Sequence, residues 1–457
     1  MNKSNKIRSS LLLLNILFVL PQMIFCGGLK NNDANIIVNN GAHLVITGNY
    51  SSSTDGVIKL DGTMSLTGDL ENNNTTINVL DSTSNGLVVL KGTSGQSITG
   101  TAAETTFPNL AINGGSIKDL GHNVIISDSL SLDNGFISLG NYNMLLNSTA
   151  VICGMPSESA MIITGGSGKF KKEFTEAGSF DFPVGADSVN YTPATLNFSE
   201  GTFNSAWAGV NVTAAKHTEN GSISDYIARY WNLEQNGIAD FTCSADFTYS
   251  ETDIVGSENG IYSAQYKDLV WTAYSKADTL NNVISAVTEN FSDFTGYQGY
   301  EISYDANEAT SGDIPSSQVK LHAIDLQLQN NSGNLARTGY TFQGWNNDSE
   351  GSGTNYAVSS ILAVNESVIL FADWNVILTA PSNVVLIYNG SNVEITWSPV
   401  FGATGYEVYS SVDPYGTFEP DESGSLINET WTAPYDGDKR FYFVKALTQT
   451  KTVTELY

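Results

Sequence analysis

At 457 residues, with 41% hydrophobic and 15% charged residues, the chain has room for several domains, can bury globular cores and carries too few charges for a coiled coil. Forty-seven Asp and Glu against 20 Lys and Arg give a formal net charge of −27, which repels nucleic acid and anionic membrane surfaces. That charge is either solvated acidic surface or an acidic binding face.

Residues 1–26 read as a signal peptide. Lys3, Lys6 and Arg8 precede an apolar run over 11–20 that is too short to span a membrane. Cleavage is expected near Cys26 or Gly27. The alternative is a lipid on Cys26, and Phe25 argues against it, because lipid-acceptor sites take a small residue before the cysteine. No later stretch is long and apolar enough to be a transmembrane segment. Cys153 and Cys243 remain in the mature chain. They are either two small buried thiols or a bridge across a domain interface, and neither has the neighbours of a metal site.

Residues 27–168 carry short apolar runs separated by Gly, Asn and Asp, at Asn35-Ile36-Ile37-Val38, His43-Leu44-Val45-Ile46, Val57-Ile58-Lys59-Leu60, Met64-Ser65-Leu66, Ile77-Asn78-Val79-Leu80 and Leu87-Val88-Val89-Leu90. The pattern resumes at Leu110, Val124, Leu130, Ile137 and Met144. Short strands with quasi-repeated turns predict stacked coils, a β-solenoid, over one closed sandwich. Asn and Gly at the corners are expected to tolerate left-handed backbone. The run Thr106-Phe107-Pro108-Asn109-Leu110-Ala111-Ile112-Asn113 resembles the parallel β-helical regions of secreted surface proteins from the Bacteroidetes. Asp55, Asp61, Asp69, Asp81, Asp119, Asp128 and Asp133 are scattered, and Lys30, Lys59, Lys91 and Lys118 are isolated. That is turn chemistry before it is a lyase or glycosidase site. Weak calcium binding at Asp/Asn corners is the other reading, without an EF-hand or glycine-rich nonapeptide pattern.

Residues 169–299 shift to aromatics, with strand patterns at 207–212, 241–249 and 283–288, and predict a β-sandwich. Phe182-Pro183-Val184-Gly185, Arg229-Tyr230-Trp231-Asn232-Leu233 and Phe291-Ser292-Asp293-Phe294-Thr295-Gly296 resemble recurrent phrases of Bacteroidetes surface proteins. Trp207, Trp231 and Trp271 are either core or platforms that stack on sugar rings. Arg229 is either a salt-bridged core residue or a ligand clamp.

Residues 300–375 contain Asp305-Ala306-Asn307, Gly339-Tyr340-Thr341-Phe342, Gly344-Trp345, Gly351-Ser352-Gly353-Thr354-Asn355-Tyr356 and Ala372-Asp373-Trp374. In that order they resemble the internalin-type B repeat, or Listeria–Bacteroides repeat. The resemblance implies a small β-grasp-like module of bacterial surface proteins and no chemistry. Glu308 departs from the family's usual glycine, which puts the first turn in doubt. Tyr340, Phe342, Trp345 and Trp374 are the expected core.

Residues 376–457 hold Val393-Glu394-Ile395-Thr396-Trp397, Ala403-Thr404-Gly405-Tyr406-Glu407-Val408-Tyr409 and Arg440-Phe441-Tyr442-Phe443-Val444-Lys445-Ala446. They resemble strands B, C and F of a fibronectin type III domain. The resemblance implies a seven-stranded sandwich with Trp397, Tyr406, Tyr442 and Val444 in its core. Trp431 and Tyr435 are read as edge packing or surface aromatics. The chain stops at Leu456-Tyr457, the expected last strand of this domain.

The catalytic inventory is thin. His43, His122, His217 and His322 lie far apart, and nothing in the sequence frames them as a base with an orienting carboxylate. No nucleophile elbow, phosphate loop, His-Glu-x-x-His or Cys-x-x-Cys occurs. Asp128-Ser129-Leu130, Asp187-Ser188-Val189 and Asp278-Thr279-Leu280 resemble a Bacteroidetes O-glycosylation triplet. The expectation is an all-β, monomeric, non-enzymatic, cofactor-free mosaic at the cell surface, adhesive or scaffolding, with an extracellular protein or glycan as ligand. The competing expectations are a carbohydrate-binding or accessory part of a polysaccharide-degrading protein, and a pure spacer.

Overall fold

In the computed structural model, residues 5–6 and 22–448 are described. Of the signal-peptide reading, most of 1–21 lies outside them, whereas Gln22–Cys26 forms a strand in parallel register with His43–Thr47. Among the described residues there is no α-helix, and strands dominate throughout. The chain divides into two compact units: the residues up to Gly299 together with Leu321–Ile324, and Tyr300–Lys320 together with the residues from Asp325 onward.

The first unit opens as a parallel β-solenoid of about seven turns. Its register defines three faces. On one, His43, Thr63, Leu87, Asn109 and Ser129 stack in order. On the second, Leu29, Tyr50, Leu70, Ile98 and Leu120 stack. On the third, Glu104–Ile112 and Asn123–Leu132 bend around a corner and so serve two faces each, the register slipping between Phe107 and Asn109. Each inward position repeats in every coil. Ile46, Leu66, Leu90, Ile112 and Leu132 form one fully buried apolar column. Neighbouring coils lie about 4.8 Å apart along such a column, so each side chain packs on its counterparts above and below.

Several strands were hidden in the sequence. The second face is built from Leu29–Asn32, Tyr50–Ser53, Leu70–Asn73 and Gln96–Thr99, which hold few apolar residues. Conversely, residues 77–80 make no strand, only the bridge from Ile58 to Leu80, although Val79 and Leu80 are buried. At the corners the glycines take positive φ as expected, among them Gly41 at +78°, Gly115 at +71° and Gly140 at +55°, but the buried asparagines act differently. Asn31, Ser52 and Asn72 stack in register inside the solenoid, all buried. Asn31 donates to Ala34 O at 2.9 Å and accepts from Ala34 N at 3.1 Å, and Ser52 donates to Gly56 O at 2.7 Å. These residues serve by hydrogen-bonding the turn from within, not by adopting left-handed backbone.

Two long strands, Ala194–Thr213 and Tyr230–Thr248, build the sandwich. They run antiparallel with register shifts at 198–207, and these bulges let both strands cross from one sheet to the other. One sheet adds Gly178–Phe182 and Val283–Thr288; the other adds Phe170–Phe174, the Asp293 end of Asp293–Asp305, Ile261–Lys267 and Val270–Lys276. Phe170–Phe174 pairs parallel with Met144–Leu146 and antiparallel with Ala194–Thr213. The change at residue 169 is therefore a switch of strand direction inside one continuous sheet, and a single core runs from Leu29 to Phe294. The sandwich thereby covers what would be an open solenoid edge. Cys153 is exposed on Val151–Gly154 and Cys243 is buried, and both are free thiols. Cys153 is thus not a buried thiol, because its strand turns that side chain outward.

In the second unit, residues 302–305 pair parallel with Val368–Val376, which pairs antiparallel with Tyr340–Asn346. Ile302, Tyr304, Trp345, Leu370 and Trp374 form the core, while Tyr340 and Phe342 pack half-buried against it. Gly344 carries φ +138° at the register shift after Phe342, and a Cβ there would lie 2.4 Å from Tyr356 O. Glu308 holds φ +65°, the left-handed conformation for which glycine is suited, and pairs with Arg337.

Residues 376–448 form two sheets. One orders Val385–Tyr388, Asn392–Thr396, Thr430–Pro434 and Ser425–Ile427; the other orders Glu419–Pro420, Gly405–Ser411 and Phe441–Leu447. Trp397, Val408, Trp431 and Val444 are buried between them, with Tyr406 and Tyr442 alongside. Trp431 is therefore core, and Tyr435 is the exposed one of that pair, against Tyr388.

Ile112→Ala removes one rung of the apolar column, and chemical denaturation is expected to show a loss of about 2–5 kcal/mol. Glu308→Gly is expected to raise stability by up to about 1 kcal/mol in the same assay, by relieving a left-handed backbone, less what the exposed Arg337 pair contributes.

Candidate functional site

Of the residues that sequence reading singled out, His217 and Trp271 meet on the outward face of the sandwich sheet that continues from the solenoid. One row of that face runs Asn211, Asn232, Asp293, Tyr266 and Trp271 across successive strands. Residues 214–225 cross above it and set His217 down on the row. The His217 ring lies 5.0 Å from Tyr230, 5.1 Å from Tyr266 and 5.2 Å from Trp271. Its Nε2 sits 3.2 Å from Asp293 Oδ2, and its Nδ1 accepts from Glu219 N at 3.2 Å. Asn232 donates to Asp293 Oδ1 at 2.7 Å, and Lys169 Nζ donates to Asn232 at 2.5 Å and lies 3.4 Å from Glu234. Burial alone would raise the Asp293 pKa, but hydrogen bonds from His217 and Asn232 and the nearby positive groups hold it below the ordinary carboxylate value.

A histidine beside a carboxylate is therefore present, a pairing that nothing in the sequence frames. The partners are far apart in the chain, and only the fold unites them. The signal that could have found the pair was Asp293 itself, a lone acid inside the aromatic phrase at 291–296. Both ring nitrogens of His217 are partnered, and the ring is walled by aromatics. The arrangement pins the crossing segment to the sheet. Trp271 Nε1 donates to Glu219 O at 3.1 Å, Asn220 Nδ2 to Gly296 O at 3.2 Å and Gly221 N to Tyr297 Oη at 2.8 Å, which add further pins.

The three candidate tryptophans separate. Trp231 is fully buried and donates to Thr192 O at 3.0 Å. Trp271 is half-buried beneath the crossing segment. Trp207 is half-buried on the outward face, with Lys171 Nζ 3.7 Å from its ring centroid. Arg229 is a core residue: it makes a two-pronged pair with Asp253 at 2.7 and 3.0 Å, and both are buried. A cavity of about 340 Å³ opens near the sandwich bulges. Leu233, Ile238, Phe241 and Phe291 give it an apolar floor, and Glu234, Asp240, Glu289 and Lys267 line its charged side. That lining suits a cationic or amphipathic group more than an anion.

The other histidines are dispersed. His43 is exposed, and His322 is half-buried with its carbonyl accepting from Tyr297 Oη at 3.2 Å. His122 is buried in the solenoid. Asn72 donates to Thr105 Oγ1 at 2.9 Å, and Thr105 Oγ1 lies 2.7 Å from His122 Nε2. Burial lowers the His122 pKa from 6.5. Asp81 makes a side-chain turn, accepting from Thr83 N at 2.8 Å, whereas Asp69 bridges two coils, accepting from Ser97 N at 2.8 Å. Lys118, read as an isolated cation, is buried and donates to Gly92 O at 2.8 Å. Among the described residues no group of three or more His, Cys, Asp or Glu is placed to hold a metal ion.

Residues 300–373 match the Listeria-Bacteroides repeat domain, a repeat typical of surface proteins. A protein of Evansella cellulosilytica that carries the name of a Gly-rich membrane protein is 26% identical over 149 residues, covering 31% of this chain and 16% of its own length. A second protein of that organism, also named as a membrane protein, is 30% identical over 76 residues, covering 16% of this chain and 11% of its own. The chain thus spans less than a fifth of the length of these curated relatives. No solved structure matches. Among the described residues no helix is long and apolar enough to cross a membrane.

The lowered His122 pKa fixes a pH dependence. The unfolded chain takes up a proton at this residue near 6.5 and the folded chain only at lower pH, so the stability contribution is complete above 6.5 and declines as pH falls toward the folded value. Melting temperatures between pH 7.5 and 5 are expected to fall more steeply for the natural chain than for His122→Gln.

Proposed function

We propose that the chain is a non-catalytic, modular surface protein that binds or spaces an extracellular partner through its β modules, an adhesive or scaffolding role. The observation that carries this reading is the Listeria-Bacteroides repeat at 300–373, folded around its own buried Trp345 and Trp374. The two-sheet arrangement at 376–448, with Trp397 and Val444 between the sheets, supports the fibronectin type III-like reading of that segment. Modules of this kind recognise partners through shallow surfaces, and their affinity is raised by repetition and avidity.

The carbohydrate-binding reading draws on one feature, Trp207 on the outward sheet face beside Lys171 and near Glu234. Against it, Lys171 lies over the Trp207 ring, the crossing segment covers Trp271, and Trp231 is core. An open row of coplanar rings, the usual platform for sugars, is not formed by these three side chains.

The test is an array of glycans and extracellular matrix proteins probed with the whole chain and with Trp207→Ala. Binding to a matrix protein that Trp207→Ala leaves unchanged supports the adhesive reading. Binding to a glycan that falls at least about tenfold with Trp207→Ala replaces it with the carbohydrate reading.

A further inference from the structure

Of the two edge strands of its sheet, both exposed on both faces, Val385–Tyr388 is longer and more apolar than Ser425–Ile427. It pairs with Asn392–Thr396 on one side, and among the described residues nothing pairs with its other side. A strand with one face on a core alternates buried and exposed residues. Here Val385, Leu386, Ile387 and Tyr388 are 50, 52, 50 and 53% exposed, so both faces and the free edge stand open. No Asp, Glu, Lys or Arg occurs between Asp373 and Glu394, although charged residues make up 15% of the chain. Exposed edges in natural sheets are normally guarded by charge or proline. The edge of the facing sheet is guarded in that way, by Glu419–Pro420.

We propose that Val385–Tyr388 is a docking edge that takes an extended segment of a cationic partner protein by adding a strand to this sheet. Main-chain hydrogen bonds supply pairing, and the exposed apolar side chains on both faces supply contact area. Charge complementarity selects the partner. Residues 376–448 hold nine carboxylates (Glu394, Glu407, Asp413, Glu419, Asp421, Glu422, Glu429, Asp436 and Asp438) against Lys439, Arg440 and Lys445. The occupant is therefore an alternating apolar strand flanked by lysine or arginine. A second copy of this chain is the weaker fit, because it brings the same excess of carboxylates. The proposal rests on the reading of the chain as a binding protein.

The probe is a synthetic peptide of alternating valine and threonine with two lysines at each end, titrated against the whole chain. The controls are the same peptide with glutamates at its ends and with a central proline. Val385→Pro and Leu386→Pro are made separately. Neighbouring amides point to opposite edges, so the variant that keeps its melting temperature has lost only the free-edge donor. Ile387→Lys is the third variant, at an exposed position, and it stands in if both prolines unfold the module. The expected result is binding of the lysine-flanked peptide, weaker binding of both controls, and a loss of at least about tenfold in the folded edge variants. Unchanged binding in those variants overturns the proposal. So does a concentration-dependent dimer that the same variants abolish, which assigns the edge to a second copy. Binding only after removal of residues 449–457 also overturns it, because the chain's own end then fills the edge. If the peptide fails while an array ligand binds, the edge assignment falls and the adhesive reading stands; failure of both sinks both.

Discussion

The first unit depends on one constraint: every coil must turn two or three corners in the same place as the coil below it. Register makes that possible, because parallel pairing places like positions on top of one another. The corner backbone then has carbonyls and amides that no strand partner can reach. Buried polar side chains satisfy them from within the stack. Gln96 Nε2 donates to Gly68 O at 2.6 Å, and Lys172 Nζ donates to the carbonyls of Asn147, Ser148 and Ala150 at 2.5–2.7 Å. Burial pushes the Lys172 pKa down to about 8, a mark of how far the ammonium has been taken from water. The apolar columns supply the driving force, and these polar contacts decide where each coil bends.

Four of the seven tryptophans follow a second rule. Trp231, Trp271, Trp345 and Trp374 each donate the indole N–H to a main-chain carbonyl, those of Thr192, Glu219, Gln329 and Asn307. In each case the ring packs among aromatic or apolar neighbours while the N–H fastens a connecting segment to the sheet. An indole used in this way has its polar handle spent and much of its ring covered. This is the physical ground for treating the aromatic richness of residues 169–375 as construction. The His217–Asp293 pair obeys the same logic, since its hydrogen bonds are all made and its effect is to hold residues 214–225 in place.

Much of the fold was legible in the sequence. Apolar alternation marked the strands on the first and third solenoid faces, and the aromatic run at 169–299 marked the change of architecture. The phrase from Gly339 to Trp345 marked the repeat, down to the glycine bulge. The early rungs of the second solenoid face were not legible, because Tyr50–Ser53 and Leu70–Asn73 put only one apolar residue inward and a Ser or Asn beside it. Their polar inward positions look like loop until the neighbouring coils are stacked on them. Residues 77–80 failed in the opposite sense: an apolar run buried its side chains without making a strand, since Asn78 bonds across to residue 106 and breaks the ladder.

The sequence by itself determined the class of the protein: all-β, modular, acidic, with a recognisable surface-type repeat. Local patterning and turn chemistry are short-range properties, and they need no partner in space to be read. Which side chains meet was decided only by the tertiary structure. His217 found Asp293, Arg229 found Asp253, and Cys153 was turned to solvent while Cys243 was enclosed. Likewise nothing local in the uncharged run at 384–388 marks it as an open edge. Its open edge arose only when the sheet order placed it last, with a neighbour on one side and none described on the other.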